Sequence, residues 1–283
     1  CFLDPYEGAK GNLIEAGANV IANGAKPMAM VNCCNFGNPE KPESYWFFAR
    51  SVEGMADFCR ALRIPVVGGN VSFYNEDEVT GTMIKPSPVI MMVGIIEGQE
   101  KIITLPFKEA DNDIFLIGTT QAELGGSEYH SVIYNLEGGN PPKVDDNQIK
   151  ARWEFISELY EYNIVKANHD VNKGGFLIAL AEMCFKNELG AKLNLAECFS
   201  KDLRADEILF SESAGRFVIE TNPEHYDTII ELAEKYGIYA KKIGKITSDT
   251  KITIRGLTDQ ILALDVKKMK ELHTNTLPDL MEI

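Results

Sequence analysis

Apolar and polar residues alternate along this chain in two different patterns, one typical of helices and one of strands. Between residues 43 and 62 the apolar residues recur at alternating spacings of three and four, which predicts a helix with one buried face. Short apolar runs bounded by Gly, Pro or Asn predict strands instead. The first part of the chain is therefore predicted to contain helices over 9–23 and 43–62, a buried strand over 27–35, and further strands over 66–75 and 87–97.

The composition changes near residue 108, where "KEADNDIFLIGTT" begins a second series of strands and helices. A helix carrying Trp153 is followed by the strand "NIVKANHDV" and by a helix that we expect to end at Gly190. A strand over 214–220, a helix that begins after Asn222, three strands and a short helix complete the series. We therefore predict two units of mixed α/β (α+β) structure, over 1–108 and 109–283.

Charge and hydropathy exclude several classes of function. The net charge is −14, from 28 basic and 42 acidic residues, and no run of Lys or Arg occurs. Nucleic acids and anionic membranes both need a basic surface, so neither is an expected partner. The longest apolar stretch, "PVIMMVGII", is far shorter than the roughly 20 residues that span a bilayer. The six cysteines have no zinc-ligand spacing and are typical of buried residues in a reducing cytoplasm.

Residues 66–75, "VVGGNVSFYN", are the first candidate for chemistry. Two glycines after an apolar strand allow backbone N–H groups to approach a phosphate closely, because no Cβ is in the way. Asn70 offers a neutral oxygen suited to Mg²⁺, and Ser72 offers a hydroxyl two residues further on, on the same face of the strand. A glycine bulge between strands explains the same pair without any ligand, and this alternative stays open.

Two further glycine pairs resemble this pattern, and their residues are candidates for a second site. In "NHDVNKGGF" the pair Gly174-Gly175 opens a helix whose N-terminus favours an anion, although His169 beside it could equally cap a turn. The full set of these candidates is Gly125, Gly126, Ser127, Glu128, His169, Asp170, Gly174 and Gly175. The chain has no P-loop and no GxGxxG after a strand, so a bound nucleotide would need a less common fold.

Six blocks of sequence resemble one family, in order and over most of the chain. They are "LDPYEG", "GAKPMAMVNCCNFGNPEKPESYWF", "PVVGGNVSFYNE", "ELGGSEY", "HDVNKGG" and "LFSESAGRFVIE". Together they resemble the C-terminal half of the synthetase subunit of phosphoribosylformylglycinamidine synthase, an enzyme of purine biosynthesis. The resemblance implies an aminoimidazole-ribonucleotide-synthetase-like fold, with a partial A-type (barrel-forming) domain followed by a complete B-type domain.

The resemblance also implies an activity. The family uses ATP and Mg²⁺ to activate the amide of formylglycinamide ribonucleotide, and ammonia from glutamine then gives formylglycinamidine ribonucleotide, ADP and phosphate. Gly69 matches an ATP contact, Asn70 a Mg²⁺ ligand and Ser72 a substrate contact. Asn32 matches a further ATP contact, where the family usually has aspartate; its amide keeps an acceptor oxygen but carries no charge. The glycine pairs of the second unit match a non-catalytic, auxiliary nucleotide site, although Asn172 and Lys173 replace the commoner Ser-Glu.

The resemblance has consequences for partners. The blocks resemble the C-terminal half of the family's subunit, so this chain is expected to be a piece of a longer cytoplasmic protein. The family's catalytic histidine lies in the first half, so the chain is expected to be inactive alone. Expected partners are the missing N-terminal half, a glutaminase subunit or domain, a small accessory subunit and the ribonucleotide substrate. Two alternatives remain: another ATP-using member of the same superfamily, such as a cyclo-ligase or a small-molecule kinase, and a non-catalytic nucleotide-binding or assembly module.

Overall fold

A computed structural model of the chain describes residues 1–281. Its first part contains two helices and three strands, close to the positions that the hydrophobic pattern predicts. They are α1 (Pro5–Ala22), β1 (Lys26–Asn35), α2 (Pro42–Leu62), β2 (Val66–Ser72) and β3 (Ser87–Ile95). Helix α1 begins four residues earlier than predicted because Asp4 caps it, accepting hydrogen bonds from the N–H groups of Tyr6 and Glu7 at 3.0 Å each.

The three strands form a sheet in the order β2-β1-β3, with β2 parallel and β3 antiparallel to β1. Helices α1 and α2 cover one face, where Met30, Cys34 and Met92 are buried. The other face carries Val89, Met91 and Val93 with about half of each side chain exposed. We call this second surface the open face. The prediction that 27–35 is a buried strand is therefore wrong for most of its residues: Met30 and Cys34 alone are buried, because helices cover the sheet on one side within the described chain.

The second part forms a seven-stranded sheet in the order β10-β9-β6-β8-β4-β7-β5. Its strands are β4 (Asp113–Ile117), β5 (Val165–Val171), β6 (Gly190–Asn194), β7 (Arg216–Thr221), β8 (Ala240–Thr247), β9 (Lys251–Arg255) and β10 (Leu262–Asp265). Its helices are α3 (Glu128–Tyr134), α4 (Asp146–Glu161), α5 (Gly175–Phe185), α6 (Ala205–Phe210), α7 (Tyr226–Tyr236) and α8 (Val266–Met281). Neighbouring strands are antiparallel except β6 and β9.

Both faces of this larger sheet are covered. Alternate residues of β4 belong to different cores: Phe115 and Ile117 pack with α4 and α7, whereas Ile114 and Leu116 pack with α5 and α6. All five residues of β4 are therefore buried.

Three features of this second part differ from the sequence prediction. Gly190 does not end a helix: α5 ends at Phe185, and Gly190 begins β6, where it pairs with Thr247. Glu188, between them, adopts a left-handed conformation with φ of 53°, which turns the chain out of the helix. The short helices α3 and α6 carry too few turns for a periodic signal, and the last helix is 16 residues long rather than short.

The two parts share a hydrophobic core. A Cβ at Gly17 of α1 would lie 2.1 Å from the Trp153 ring of α4, so only glycine allows this contact. Trp153 also meets the Phe58 ring of α2 edge-on, with centroids 6.0 Å apart. The Tyr160 hydroxyl donates to the carbonyl of Ile21 at 2.8 Å. Helices α1 and α2 thus lie between the two sheets. Within residues 1–281, no helix is long and apolar enough to cross a membrane.

A buried carboxylate fixes the segment that leads into β4. Glu220 of β7 is fully buried and accepts hydrogen bonds from the N–H groups of Lys108 (2.6 Å) and Glu109 (3.1 Å) and from the Asn112 side chain (2.6 Å). Removing the acceptor leaves three donors without a partner in or near the core.

We expect Glu220→Ala to lower the free energy of unfolding by about 3 kcal/mol or more, because each unsatisfied buried donor costs roughly 1–3 kcal/mol. Urea unfolding followed by tryptophan fluorescence measures the change. The control is Glu231→Ala, which removes an exposed carboxylate from α7. A loss at position 220 no larger than that of the control would contradict the assigned role.

Candidate functional site

Parallel pairing of β1 with β2 positions the residues of the first candidate site. Asn32 pairs with Gly69, Cys33 with Asn70, and Asn35 with Ser72. Two asparagines hold these strands in place. Asn35 donates to the carbonyl of Ser87 on β3 at 3.1 Å, and Asn75 donates to the carbonyl of Ser72 at 2.9 Å. Sequence reasoning did not single out either asparagine.

The glycine pair lies inside β2 and not at its end. The strand continues through Gly68 and Gly69 to Ser72. The register shifts between Met30 and Val31, so that Val67 is an extra residue on β2 opposite this step. The expectation that the glycines come after the strand is therefore wrong, and a bulge lies beside them, at Val67.

The four predicted residues occupy both faces of the sheet. Met30 and Cys34 are buried under the helices, so alternation places Asn32, and with it Gly69, on the helix-covered face. A Cβ at Gly69 would lie 2.1 Å from Asn32 Oδ1, so any larger residue would displace the Asn32 side chain.

Asn70 and Ser72 lie on the open face. Asn70 Nδ2 donates to Ser72 Oγ at 3.4 Å, and the Asn70 side chain is exposed. The two side chains offer neutral oxygen ligands, which suit a hard cation such as Mg²⁺. Residues 1–281 hold no cluster of three or more His, Cys, Asp or Glu side chains that could enclose a metal. A cation at Asn70 would therefore need most of its ligands from water, from a bound phosphate or from another segment of protein.

Two residues of the second candidate set, Gly174 and Glu128, form hydrogen bonds with the carboxylate of Glu212. Its Oε1 accepts hydrogen bonds from the N–H of Gly174 at 2.8 Å and from the N–H of Glu128 at 2.9 Å. Gly174 and Glu128 belong to the two glycine-rich loops, so Glu212 joins them. Glu212 is half-buried, and burial raises the pKa of its carboxyl group. The residue lies in the quoted block "LFSESAGRFVIE", but sequence reasoning gave it no role.

The other residues of the first loop are held by local contacts. Ser127 caps α3 by accepting a hydrogen bond from the N–H of His130 at 3.2 Å. A Cβ at Gly125 would lie 2.0 Å from the carbonyl oxygen of Asn140. The N–H of Gly126 donates a hydrogen bond to the carbonyl of Gly138 at 2.9 Å. The loop over 136–142 thus packs directly against Gly125 and Gly126.

His169 lies between two carboxylates. Its Nε2 is 2.7 Å from Glu182 of α5, and its Nδ1 is 3.4 Å from Asp170. Burial opposes a positive charge on the ring, but the hydrogen bonds and charges of Asp170 and Glu182 outweigh it and raise the pKa of His169 to about 9. His169 is therefore a charged member of an ion cluster at neutral pH.

A cavity of about 160 Å³ adjoins these groups. One wall is the glycine-containing face of α1, including Gly11 and Glu15, and the opposite wall includes Asp170, Lys173 and Glu212. A Cβ at Gly11 would meet no heavy atom within 4 Å, so it would project into open space. The structure brings together Asp170, the loop that leads to Gly174, and Glu212; the described lining of this cavity does not include β1 or β2.

Two domain families match the chain. Residues 1–96 match "AIR synthase related protein, N-terminal domain", and residues 109–256 match "AIR synthase related protein, C-terminal domain". These matches confirm the fold class that the six sequence blocks implied.

Curated relatives agree with the resemblance. The chain is 40% identical over 271 residues to "Phosphoribosylformylglycinamidine synthase subunit PurL" of Thermoanaerobacter sp. (strain X514), which covers 96% of this chain and 36% of the relative. It is 37% identical to the protein of the same name from Methanocaldococcus jannaschii, covering 99% of this chain and 38% of the relative. The chain thus spans about a third of the length of the curated relatives that it matches.

Solved structures share the fold. "T. maritima PurL complexed with FGAR" superposes with a TM-score of 0.81 at 22% identity, over 95% of this chain and 43% of that one. A thiamine-monophosphate kinase from Stenotrophomonas maltophilia superposes with a TM-score of 0.65 at 16% identity, over 89% of this chain and 79% of the kinase. The similarity to the kinase shows that a protein with a different name shares this fold. Since the matched C-terminal domain alone spans more than half of the residues, this chain belongs to the AIR synthase related protein family.

Proposed function

We propose that this chain is part of an ATP-dependent phosphoribosylformylglycinamidine synthase. The whole enzyme would convert formylglycinamide ribonucleotide, ATP and ammonia derived from glutamine to formylglycinamidine ribonucleotide, ADP and phosphate. The observation that carries the proposal is the β1–β2 register, which sets the four motif-matched residues side by side on neighbouring strands. Relatives with this name, similar over nearly the whole chain, support it.

The four residues would have separate tasks. Strand β2 is an edge strand of the described sheet, so the backbone groups along its outer edge are not paired with another strand and can contact a ligand. Gly69 would contact ATP through its backbone, with the amide of Asn32 beside it as a neutral hydrogen-bonding partner. Asn70 would supply one oxygen to Mg²⁺, and Ser72 would position the ribonucleotide. When bound, Mg²⁺ neutralises charge that develops on the transferred phosphoryl group.

The open face of the smaller sheet needs a partner. Its exposed apolar residues, Val89, Met91 and Val93 among them, lie on the same face as Asn70 and Ser72. We propose that the remainder of the polypeptide, the N-terminal half, packs against this face and completes the site. A glutaminase subunit or domain and a small accessory subunit would assemble with the whole enzyme in the cytoplasm, and the catalytic histidine would come from the missing half.

The second candidate function is phosphoryl transfer to a small molecule, as the fold shared with a thiamine-monophosphate kinase suggests. An assay of the full-length protein with formylglycinamide ribonucleotide and with thiamine monophosphate separates the two. Nucleotide binding without turnover of either substrate would favour a non-catalytic module.

We expect Asn70→Leu in the full-length protein to lower kcat by a factor of about 100 or more, because leucine provides no oxygen for the cation that stabilises the transferred phosphoryl group. Steady-state ADP release at saturating ammonia measures the effect. The matched control is Asn19→Leu, at an exposed position of α1. The Asn19 side chain donates a hydrogen bond to the backbone carbonyl of Glu15 in the same helix. Unchanged turnover in Asn70→Leu would remove Asn70 from the site.

We expect the 283-residue chain alone to show no ammonia-dependent release of ADP above background. The reason is that two of the four proposed site residues, Asn70 and Ser72, lie on the open face, where the remaining segments would complete the site. Addition of the complementary part of the polypeptide should restore the activity. Turnover by the isolated chain would contradict the division of the site between two segments.

We propose in addition that the cavity beside Glu212 is an auxiliary, non-catalytic nucleotide site. Gly174 and Gly175 adopt left-handed φ values of 77° and 73° at the start of α5, and the N–H of Gly174 donates to Glu212 at the cavity wall. Asp170 and Lys173 line the cavity, and Gly125, Gly126, Ser127 and Glu128 form the neighbouring loop. The charged His169 would hold this wall in position.

The raised pKa of His169 predicts a dependence of stability on pH. The charged ring contributes stability that is fully present below its unfolded pKa, near 6.5, and is lost as the pH rises through about 9. We expect the advantage of the wild type over His169→Gln to fall by up to about 3 kcal/mol between pH 7 and pH 10. Urea unfolding at both pH values measures it, with His225→Gln as the control. A difference that does not vary with pH would show that His169 is uncharged in the folded chain.

A further inference from the structure

Exposed apolar side chains form one band across both parts of the chain. The band runs from the first residues, past the start of α2, to α3 and the loop that follows it. Its members are all exposed and are Phe2, Leu3, Tyr45, Trp46, Val132, Ile133, Tyr134 and Leu136. We call this surface the apolar band.

The start of the chain connects the band to α2 and to the loop before α3. The Phe2 ring stacks on the buried Phe47 of α2 with centroids 6.0 Å apart, and Trp46 meets the same ring at 5.2 Å. A Cβ at Gly126, in the loop that precedes α3, would lie 3.1 Å from the Leu3 side chain. Phe2 and Leu3 therefore lie between the aromatic residues of α2 and the apolar residues of α3.

The apolar band adjoins the open face at Lys85. The Lys85 ammonium group lies over the Phe2 ring, 5.7 Å from its centroid, and forms an ion pair with Glu137. The carbonyl of Lys85 accepts a hydrogen bond at 2.8 Å from the hydroxyl of Ser87, the first residue of β3. Strand β3 carries the apolar residues of the open face. Because the charges of Lys85 and Glu137 neutralise each other, the band favours an apolar partner over a charged one.

Helix α3 has less packing than a helix of its length needs. It has seven residues, and none of them is buried, although Tyr129 stacks on Phe210 with centroids 4.7 Å apart. Helices shorter than about 12–15 residues are marginal in water unless tertiary contacts stabilise them. Val132, Ile133 and Tyr134 are nevertheless all exposed. We therefore expect another surface to cover α3.

We propose that the N-terminal half of the polypeptide packs against the apolar band, and so contacts α3 of the second part as well as the open face of the first. The inference rests on the proposed function, in which this chain is one part of a longer synthase, and adds a second docking surface to it. In the curated relatives, about two thirds of the polypeptide lies outside the matched region. Phe2 and Leu3 belong to the band, so a polypeptide that continues before Cys1 leaves from this surface. Tyr, Trp and Phe are enriched in protein interfaces.

Thiol labelling of Ile133→Cys tests the docking. We expect this thiol to react with a maleimide at least about tenfold more slowly in the full-length protein than in the 283-residue chain, because burial limits access to it. Peptide mass spectrometry assigns the label to position 133. The matched control is Ile261→Cys, between β9 and β10, since Ile133 is 59% and Ile261 54% exposed. The control thiol should react at the same rate in both proteins.

Hydrogen–deuterium exchange of the unmodified proteins is a second measurement that needs no substitution. The amides of 130–136 should exchange more slowly in the full-length protein than in the isolated chain. Equal exchange and equal labelling in the two proteins would overturn the docking. The proposed function would still stand if that full-length protein released ADP with formylglycinamide ribonucleotide and ammonia.

Two further outcomes separate the docking from its alternatives. Protection of position 133 in a full-length protein that does not turn over this substrate would support the docking and contradict the proposed function. Protection in the isolated chain that disappears on dilution would show that a second copy of the chain covers the band, and would overturn the assignment to the N-terminal half.

Discussion

The parallel pairing of β1 with β2 is the constraint on which the proposed active site depends. It places Asn32 beside Gly69, and Asn35 beside Ser72, because paired residues of neighbouring strands point to the same face. A shift of one residue in this register would move Asn70 from the open face to the helix-covered face. The bulge at Val67, and the hydrogen bond that the Asn75 side chain donates to the carbonyl of Phe36 at 3.0 Å just after β1, fix the register where the glycines offer no side chains to do so.

The two sheets differ in how much of their surface is covered by helices. The larger sheet contributes mainly to the core, and the smaller sheet carries the proposed site. Helices cover the larger sheet on both faces, so its central strands β4 and β7 are buried along their whole length. The smaller sheet is covered on one face, and its open face combines apolar residues with Asn70 and Ser72. Exposed apolar area of this kind marks an interaction surface in a soluble protein. Its position beside the proposed ligands suggests that assembly and completion of the active site are the same event.

Glu212 shows how a glycine-rich loop can be ordered before any ligand arrives. Backbone N–H groups at helix N-termini need an acceptor, and here the chain supplies one from a buried, rigid segment.

The sequence by itself determined the family, most of the long elements and the identity of the candidate residues. Helix α2 was readable because the spacing of its apolar residues repeats the helical period, and β4 because a short apolar run follows polar residues. Local pattern could not distinguish the end of α5 from the start of β6 at Gly190, since glycine serves both, nor find helices of six or seven residues. The tertiary structure alone decided which face each residue occupies, that β1 is covered on one side, and that Glu212 meets Gly174 and Glu128 across the fold. Those contacts join residues 38 and 84 positions apart, and no local periodicity records such a distance.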